Sequence, residues 1–500
     1  MSSFASYRHE LPPVRDYTFL GTENSVEKPI VRPSGEIWLW FDPADHVAWI
    51  RKAVEAESFE WGLADGYLPA VTYTWRDPES DRTCEMTAFA ADRVPPGAIH
   101  LYVRLAESGH QPRCFRLRDL APIDEAAFDA AFEAALQALR DHWTRFFDEA
   151  TAISAGDPTL LNACKASLIR ALITFTGKHP HYGVRSYAAV QDEGFPPTII
   201  SLVNCLVDWG HAELARDYLL YYFDRFVTDA GRFDYYGPSL AEYGQMLSLV
   251  GKLAGAVKEI EWLAAIAPKC ERIREWLWAE RERSESGLIA GVPEADTRAE
   301  VDVYFHNNAW VCRGLRDLAR VLGRPGEAER CEAWRGVILD AIAAVTDRST
   351  TPAFIPPVAR KMKPFASMTE SGFASYTNYR YWLELLSSGI LMSEQMAGVV
   401  EYRRAHGGIV AGMTAFGDHA DNWPIAEYTR ALLDMGRADE FRTVLYAHLA
   451  GHTTPQTWTA YEQVSTNTDG HRKAVADYCV PAQLVAPRLL AWANQAGIAV

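Results

Sequence analysis

At 500 residues the chain is longer than one small hydrophobic core can organise, so it needs two or three domains or one large closed architecture. Charged residues make up 23% and hydrophobic residues 48%, the balance of an ordinary soluble enzyme and not of a disordered or membrane-embedded chain. A net charge of −16 leaves nothing to neutralise phosphates in bulk, which argues against nucleic acid as a partner.

Aromatic residues reach 12%, with 16 Trp, and many neighbour Gly, Pro, Asn or Asp instead of lying in apolar runs. Rings in that setting point to stacking on a carbohydrate, against the plainer role of core packing. Eight cysteines are scattered, with no CxxC and no metal-like Cys/His cluster. They predict reduced, buried thiols in a cytoplasmic protein. The N-terminal residues, Met1-Ser2-Ser3-Phe4-Ala5-Ser6-Tyr7-Arg8-His9-Glu10, carry no apolar core for secretion. No window approaches the ~18 apolar residues of a membrane span.

Residues 1 to about 120 read as a small β-rich domain. Strands are expected at Glu36-Ile37-Trp38-Leu39-Trp40-Phe41, at Tyr67 to Trp75, at Ala98 to Leu105 and at Cys114-Phe115-Arg116-Leu117, separated by acidic Ser/Pro/Gly turns. One helix is expected to interrupt them, from Pro43 to about Ala56. A linker helix follows within 121–156, starting near Pro122 with Asp124 as N-cap and running to about Asp148.

From 157 to 500 helical periodicity dominates. Patterns fall at roughly 157–176, 194–208, 211–228, 238–256, 258–283, 303–323, 325–346, 378–389, 391–404, 422–436, 437–450 and 480–496. Tight turns such as Asp208-Trp209-Gly210-His211 alternate with long loops at 177–193, 229–237, 284–302, 347–377, 405–421 and 451–478. Six long loops alternating with short turns over twelve helices predict a mainly α fold, a closed (α/α)6 barrel of six helical hairpins with one set of loops at one mouth. An α-solenoid is the weaker alternative, since no repeat of constant length stands out.

The long loops hold most of the conspicuous polar groups. Thr457-Trp458-Thr459-Ala460-Tyr461-Glu462-Gln463-Val464 places a carboxylate between aromatics, in a segment rich in Thr, Gly and His. Acids, amides and aromatics without a nucleophile motif suit sugar recognition: the polar groups bind hydroxyls and the rings stack on C–H faces. Glycoside hydrolysis then requires two carboxylates, one protonated and one ionised. The plainer readings are a solvated loop for Glu462 and helix capping for Glu294, Asp296, Glu300 and Asp302. His179, His181, His306 and His419 are too dispersed in sequence to indicate a metal site. No cofactor is demanded, although an acid-lined mouth can hold calcium.

Motif order and spacing over 157–500 resemble the six-hairpin (α/α)6-barrel glycosidases, most closely the glucoamylase-like group and its trehalase relatives. Tyr187-Ala188-Ala189-Val190-Gln191-Asp192 stands where that group has an aromatic loop ending in Arg-Asp, with Gln191 replacing the Arg. Val207-Asp208-Trp209-Gly210-His211-Ala212-Glu213-Leu214-Ala215-Arg216 is similar to its turn between helices two and three, and Ala241-Glu242-Tyr243-Gly244-Gln245 to its Asp-Glu-x-Gly-Gln segment. The group's Trp-Glu-Glu is absent. By position the resemblance implies Asp296 as general acid, with Glu294 and Glu300 in contention. It implies Glu462 as base, from Tyr461-Glu462-Gln463 followed by Pro481-Ala482-Gln483-Leu484. The N-terminal domain resembles the β-sandwich that precedes such barrels in bacterial members.

These readings predict an inverting, exo-acting hydrolase of a small oligosaccharide, with its two carboxyl groups ~6.5–9.5 Å apart. Tyr187, Gln191, Asp192, Glu242, Asn308, Trp423, Trp458 and Tyr461 are the expected sugar-binding residues. Two other classes stay open. One is a polysaccharide lyase acting on uronates through Tyr or His, with His181, Tyr182, Arg185, Tyr236 and His419 available. The other is a carbohydrate-binding protein that has lost one acid. Nothing in the sequence sets the oligomeric state.

Overall fold

The computed structural model describes residues 3–38, 46–48, 60–77, 80–92, 99–110, 113–117, 125–184, 193–235, 237, 239–294 and 300–500. The N-terminal part holds two antiparallel sheets. The first runs β1 (Thr18–Phe19), β2 (Ile30–Val31), β3 (Glu36–Trp38), β4 (His46–Ala48). The second is a meander of β5 (Glu60–Leu63), β6 (Ala70–Arg76), β7 (Thr83–Asp92), β8 (Ile99–Glu107) and β9 (Arg113–Leu117). Along β6 and β7 the alternate residues Val71, Tyr73, Trp75 and Cys84, Met86, Ala88 turn into the main core. The other face takes Phe89 and Tyr102, which pack on Phe132 and Leu136 of α1 (Glu125–Asp148). Period-2 burial of one face is what fixes strand register.

Two expectations change here. His46–Ala48 pair with Glu36–Trp38 as a strand, although a helix was expected from Pro43 to Ala56. The remainder of that stretch lies outside the described residues. Strand β7 was not expected at all. Its Ala, Glu and Met favour helix locally, and pairing on both sides, Cys84 with Trp75 and with Glu107, overrides that preference.

The helices follow as α2 (Pro158–Thr174), α3 (Pro196–Asp208), α4 (Ala212–Phe226), α5 (Leu240–Ala256), α6 (Leu263–Arg283), α7 (Phe305–Val321) and α8 (Pro325–Val345). Next comes α9, which is Gly372–Tyr376 continued through one wider turn, Thr377–Tyr381, into Trp382–Ser387. Then come α10 (Ser393–Ala405), α11 (Ile425–Asp434), α12 (Ala438–Gly451), α13 (Val480–Gln483) and α14 (Val485–Gln495). Inner helices α3, α5, α7, α9, α11 and α14 pack in that order, and α14 returns to α3. The ring is closed, so the fold is the expected mainly α (α/α)6 barrel.

Its tightest crossing joins α5 and α7. A Cβ on Gly244 would lie 2.2 Å from the Trp310 carbonyl oxygen, and one on Gly314 would lie 2.1 Å from that of Gly244. Only glycine permits that backbone approach. Short strands β10 (Ile409–Val410), β11 (Met413–Phe416), β12 (His419–Asp421) and β13 (Gln463–Ser465) decorate one mouth. The N-terminal segment lies along the last hairpin. Tyr17 accepts from the Tyr478 amide at 2.9 Å, Val14 bridges Arg472, and the Tyr461 hydroxyl donates to the Tyr17 carbonyl.

The two mouths differ in charge. Inner helices begin at one, so their amide ends face it and favour carboxylates. They end at the other, where Lys252, Arg313, Arg316, Arg320, Arg430 and Arg488 outnumber Asp208, Asp317 and Asp434 around a cavity of about 620 Å³ and offset the carbonyl ends. Among the described residues no helix is long and apolar enough to cross a membrane. Cys84, Cys164, Cys205, Cys270, Cys312, Cys331 and Cys479 are buried and unbridged.

Candidate active site

At the amide-end mouth an aromatic cluster stands apart from the main core. Tyr182, Phe195, Tyr379 and Trp423 pack with Cys479 and Ala482, and Tyr235, Tyr376 and Phe416 close around them. Each comes from a segment at the beginning of an inner helix, so the barrel gathers rings that are far apart in sequence.

Glu462 enters this cluster one residue before β13. Its Oε2 accepts from the Tyr182 hydroxyl at 2.9 Å, and its amide donates to the Asp477 carbonyl at 3.1 Å. The preceding loop is held at many points. Gln483 donates to the Trp458 carbonyl at 2.6 Å and accepts from the Ala460 amide at 2.8 Å. The Trp458 amide donates to the Thr454 carbonyl, and the Thr459 amide to the Thr454 hydroxyl. His452 Nε2 lies 2.7 Å from the Tyr461 carbonyl. Trp458 takes a φ of +52°, a left-handed conformation that a bulky residue holds only when its surroundings impose it. The loop is therefore a rigid mount for the carboxylate that follows. Beside it, Asp421 pairs with Gln463 across β12 and β13 and accepts from the Gln463 side chain at 3.2 Å.

A second group of acids surrounds Arg380, which lies in the wide turn of α9 and is buried. Its guanidinium approaches Glu294 at 2.7 Å, Glu384 at 2.7 Å and Glu242 at 3.3 Å, and its Cζ lies 4.5 Å over the Trp423 ring. Glu242 also forms a capping box with Ser239 at the start of α5. One cation among three buried carboxylates leaves an excess of negative charge. Burial pushes the Glu242 carboxyl up, Arg380 opposes this, and Glu294 with Glu384 reinforce it, to about 8. The cluster therefore holds a proton at neutral pH. His306 stacks on Tyr381 at 4.8 Å and lies 3.8 Å from Glu384; burial, then Arg380, push its pKa well below the usual range, so it is neutral.

Tyr379 connects the two groups. Its phenol is fully buried and its pKa is driven far up, by burial first and then by Asp421, Glu462 and Glu294, with Arg380 opposing. Both Glu462 and Glu294 are thus within electrostatic reach of one hydroxyl.

The expected residues separate into three sets. Glu462, Glu294, Glu242 and Trp423 come together around Tyr379 and Arg380. Asn308, Tyr461 and Trp458 serve other ends. The Asn308 amide is bonded to both backbone groups of Ile289 and to the Tyr304 carbonyl. Tyr461 is buried against Tyr17, and Trp458 packs toward Phe4. Tyr187, Gln191, Asp192 and Asp296, and with them Arg185 and Tyr236, lie outside the described residues. Asp302 pairs with Arg360 at 2.8 Å and Glu300 is exposed, so neither joins the cluster.

Sequence reading missed Arg380, Tyr379, Glu384 and Asp421. Asn378-Tyr379-Arg380-Tyr381-Trp382 offered a signal: an arginine amid aromatics inside a helix, with an acid at i+4, is an internal ion pair in waiting.

The closed ring of six hairpins behind a β-rich N-terminal part defines an (α/α)6-barrel protein of the six-hairpin kind. The chain is similar in fold to a bacterial glucoamylase solved in complex with acarbose, with a TM-score of 0.59 at 9% identity, covering 100% of this chain and 97% of that one. A rhamnosidase from Klebsiella oxytoca with rhamnose bound aligns at 10% identity and a TM-score of 0.48 over 97% and 95% of the two chains. An unsaturated glucuronyl hydrolase specific for heparin aligns at 13% and 0.46 over 69% and 99%. No family model and no curated protein sequence matches the chain. At 9% identity the likeness to the glucoamylase is one of fold.

Proposed function

We propose that the protein is a glycoside hydrolase that cleaves an oligosaccharide at the aromatic, acid-bearing mouth of its barrel. The observation that carries this reading is two acids on one aromatic mouth: Glu462 of the last long loop bonds to Tyr182 of the cluster, Glu294 of the loop before α7 bonds to Arg380 under Trp423, and the buried Tyr379 phenol feels both charges. Glu462 is the general base. The Tyr182 hydroxyl donates to its Oε2 at 2.9 Å and orients it toward water. Glu294 is the general acid. It shares Arg380 with Glu242 and Glu384, and the proton it delivers comes from that cluster, where Glu242 carries it at neutral pH. Trp423 and Tyr235 offer faces to the sugar ring. Attack by a base-activated water makes the reaction inverting, and the reading includes exo action on short chains. The unbridged, buried thiols suit a reducing compartment.

The test is hydrolysis of a panel of α- and β-linked oligosaccharides, with the anomer of the fresh product read by proton NMR. Release of the inverted anomer supports the reading. Release of the retained anomer refutes the base role of Glu462, and a product absorbing near the ultraviolet edge identifies a lyase instead.

A further inference from the structure

Loop 177–193 brings together three side chains that the chemistry above does not use. One ligand atom each from His179, His181 and Glu193 lies within 4.8 Å of the others. We propose that these three residues bind a divalent transition-metal ion, Zn2+ foremost, and that the ion clasps the loop carrying Tyr182 to the start of α3.

One edge of the cluster already has the length of a tetrahedral edge. Ligands ~2.0–2.1 Å from zinc stand roughly 3.4 Å apart along a tetrahedral edge, and His179 Nε2 lies 3.4 Å from Glu193 Oε1. The other two edges lie within 4.8 Å and shorten to that length by small turns of the side chains.

Each ring is already held by its other nitrogen. His179 Nδ1 lies 3.0 Å from the Tyr221 hydroxyl on α4. His181 Nε2 lies 3.2 Å from Thr176 Oγ1, whose hydroxyl reaches the Ser25 carbonyl at 3.3 Å. With Thr176 donating to Ser25, its oxygen accepts from His181 Nε2–H. With Tyr221 accepting from His179 Nδ1–H, the lone pair on Nε2 faces Glu193. Metal-binding imidazoles are oriented in this way by outer partners.

The ring centroids lie 5.2 Å apart and the planes cross at 61°, so the rings meet edge to face and do not stack. His179 and His181 are half-buried and Glu193 is exposed, which leaves an entry path and room for water as fourth ligand. Two imidazoles and one carboxylate suit zinc, nickel or copper; calcium and magnesium prefer all-oxygen sites.

The site adjoins the catalytic mouth through the chain. Tyr182 follows His181, accepts the Val480 amide at 2.8 Å and donates to Glu462. Loading the clasp therefore stiffens the segment that orients the proposed base.

The experiment is calorimetric titration of ZnCl2 into the full chain after chelator treatment, alongside melting with and without Zn2+. One equivalent should bind and raise Tm, and equal Ca2+ or Mg2+ should do neither. His179→Ala and His181→Ala should each abolish that binding. Tyr221→Phe, which keeps the ring and removes the hydroxyl, should weaken it ~10–100-fold. Co2+ in the unmutated chain should give the intense visible bands of a tetrahedral site, a readout independent of whether variants fold. Absence of binding overturns the proposal, as does binding that survives both histidine substitutions or octahedral Co2+ bands.

Discussion

Glu242→Gln isolates the electrostatics of the Arg380 cluster. Glu242 is buried and its carboxyl is raised from 4.5 to about 8, by burial first, with Glu294 and Glu384 adding and Arg380 opposing. The folded state thus binds a proton that the unfolded state has released above pH 4.5. A raised carboxyl contributes stability that is fully present below the unfolded value and is lost as pH climbs through the folded one. One pH unit in that window is worth about 1.4 kcal/mol, so this group removes roughly 2 kcal/mol between pH 6 and pH 8. Glutamine replaces a neutral acid by a neutral amide of the same shape. At pH 6 the variant loses no charge and at most one well-formed hydrogen bond, to the Ser239 amide, a cost of about 1 kcal/mol. By pH 8 the wild type has lost most of that contribution, whereas the variant has no carboxyl there to titrate and keeps its stability. The gap should close or reverse. Chemical denaturation of both proteins at pH 6, 7 and 8 measures this directly. Parallel pH profiles, or a penalty that grows toward pH 8, refute the protonated cluster.

His448 and His452 are both buried and held neutral, chiefly by burial, His452 down to about 3. Lowered histidines cost stability as pH falls below their unfolded value near 6.5, by about 1.4 kcal/mol per unit for each, so Tm should drop steeply from pH 6.5 to 5 and flatten in His448→Gln. Gly244→Ala should destabilise by ~1–3 kcal/mol or more through overlap with the Trp310 carbonyl, while Gly336→Ala, with open space around it in α8, should stabilise by up to ~1 kcal/mol. Denaturation midpoints compare the two, and equal shifts would contradict the close crossing of α5 and α7. Tyr182→Phe removes the hydroxyl bonded to Glu462; the acidic limb of kcat/KM should move to higher pH, and an unmoved limb would deny the contact a role in setting the base.

The helices were legible because amphipathic periodicity and turn residues act locally. Helices such as Pro158–Thr174 and Pro325–Val345 fall where the sequence pattern puts them. Closure of the ring was legible through loop rhythm. Short strands were not, since β7 and the β10–β13 sheet exist only through partners distant in sequence. The site was half legible. Glu462 stood out as an acid in a long loop, and Trp423 as an aromatic just after one. Arg380 did not, because its role depends on three acids from α5, from α9 itself and from the loop before α7, converging on one guanidinium. Tyr461 and Trp458 misled for the opposite reason. An aromatic beside an acid looks like a sugar platform until the N-terminal segment, which no local pattern locates, covers it.

The central claim rests on two carboxylates, and turnover of Glu462→Gln and Glu294→Gln tests it most directly. Both variants should fold as the wild type does and lose hydrolysis of whichever oligosaccharide the wild type cleaves, by ~10²–10⁴-fold in kcat. Either variant turning over at the wild-type rate would contradict the account.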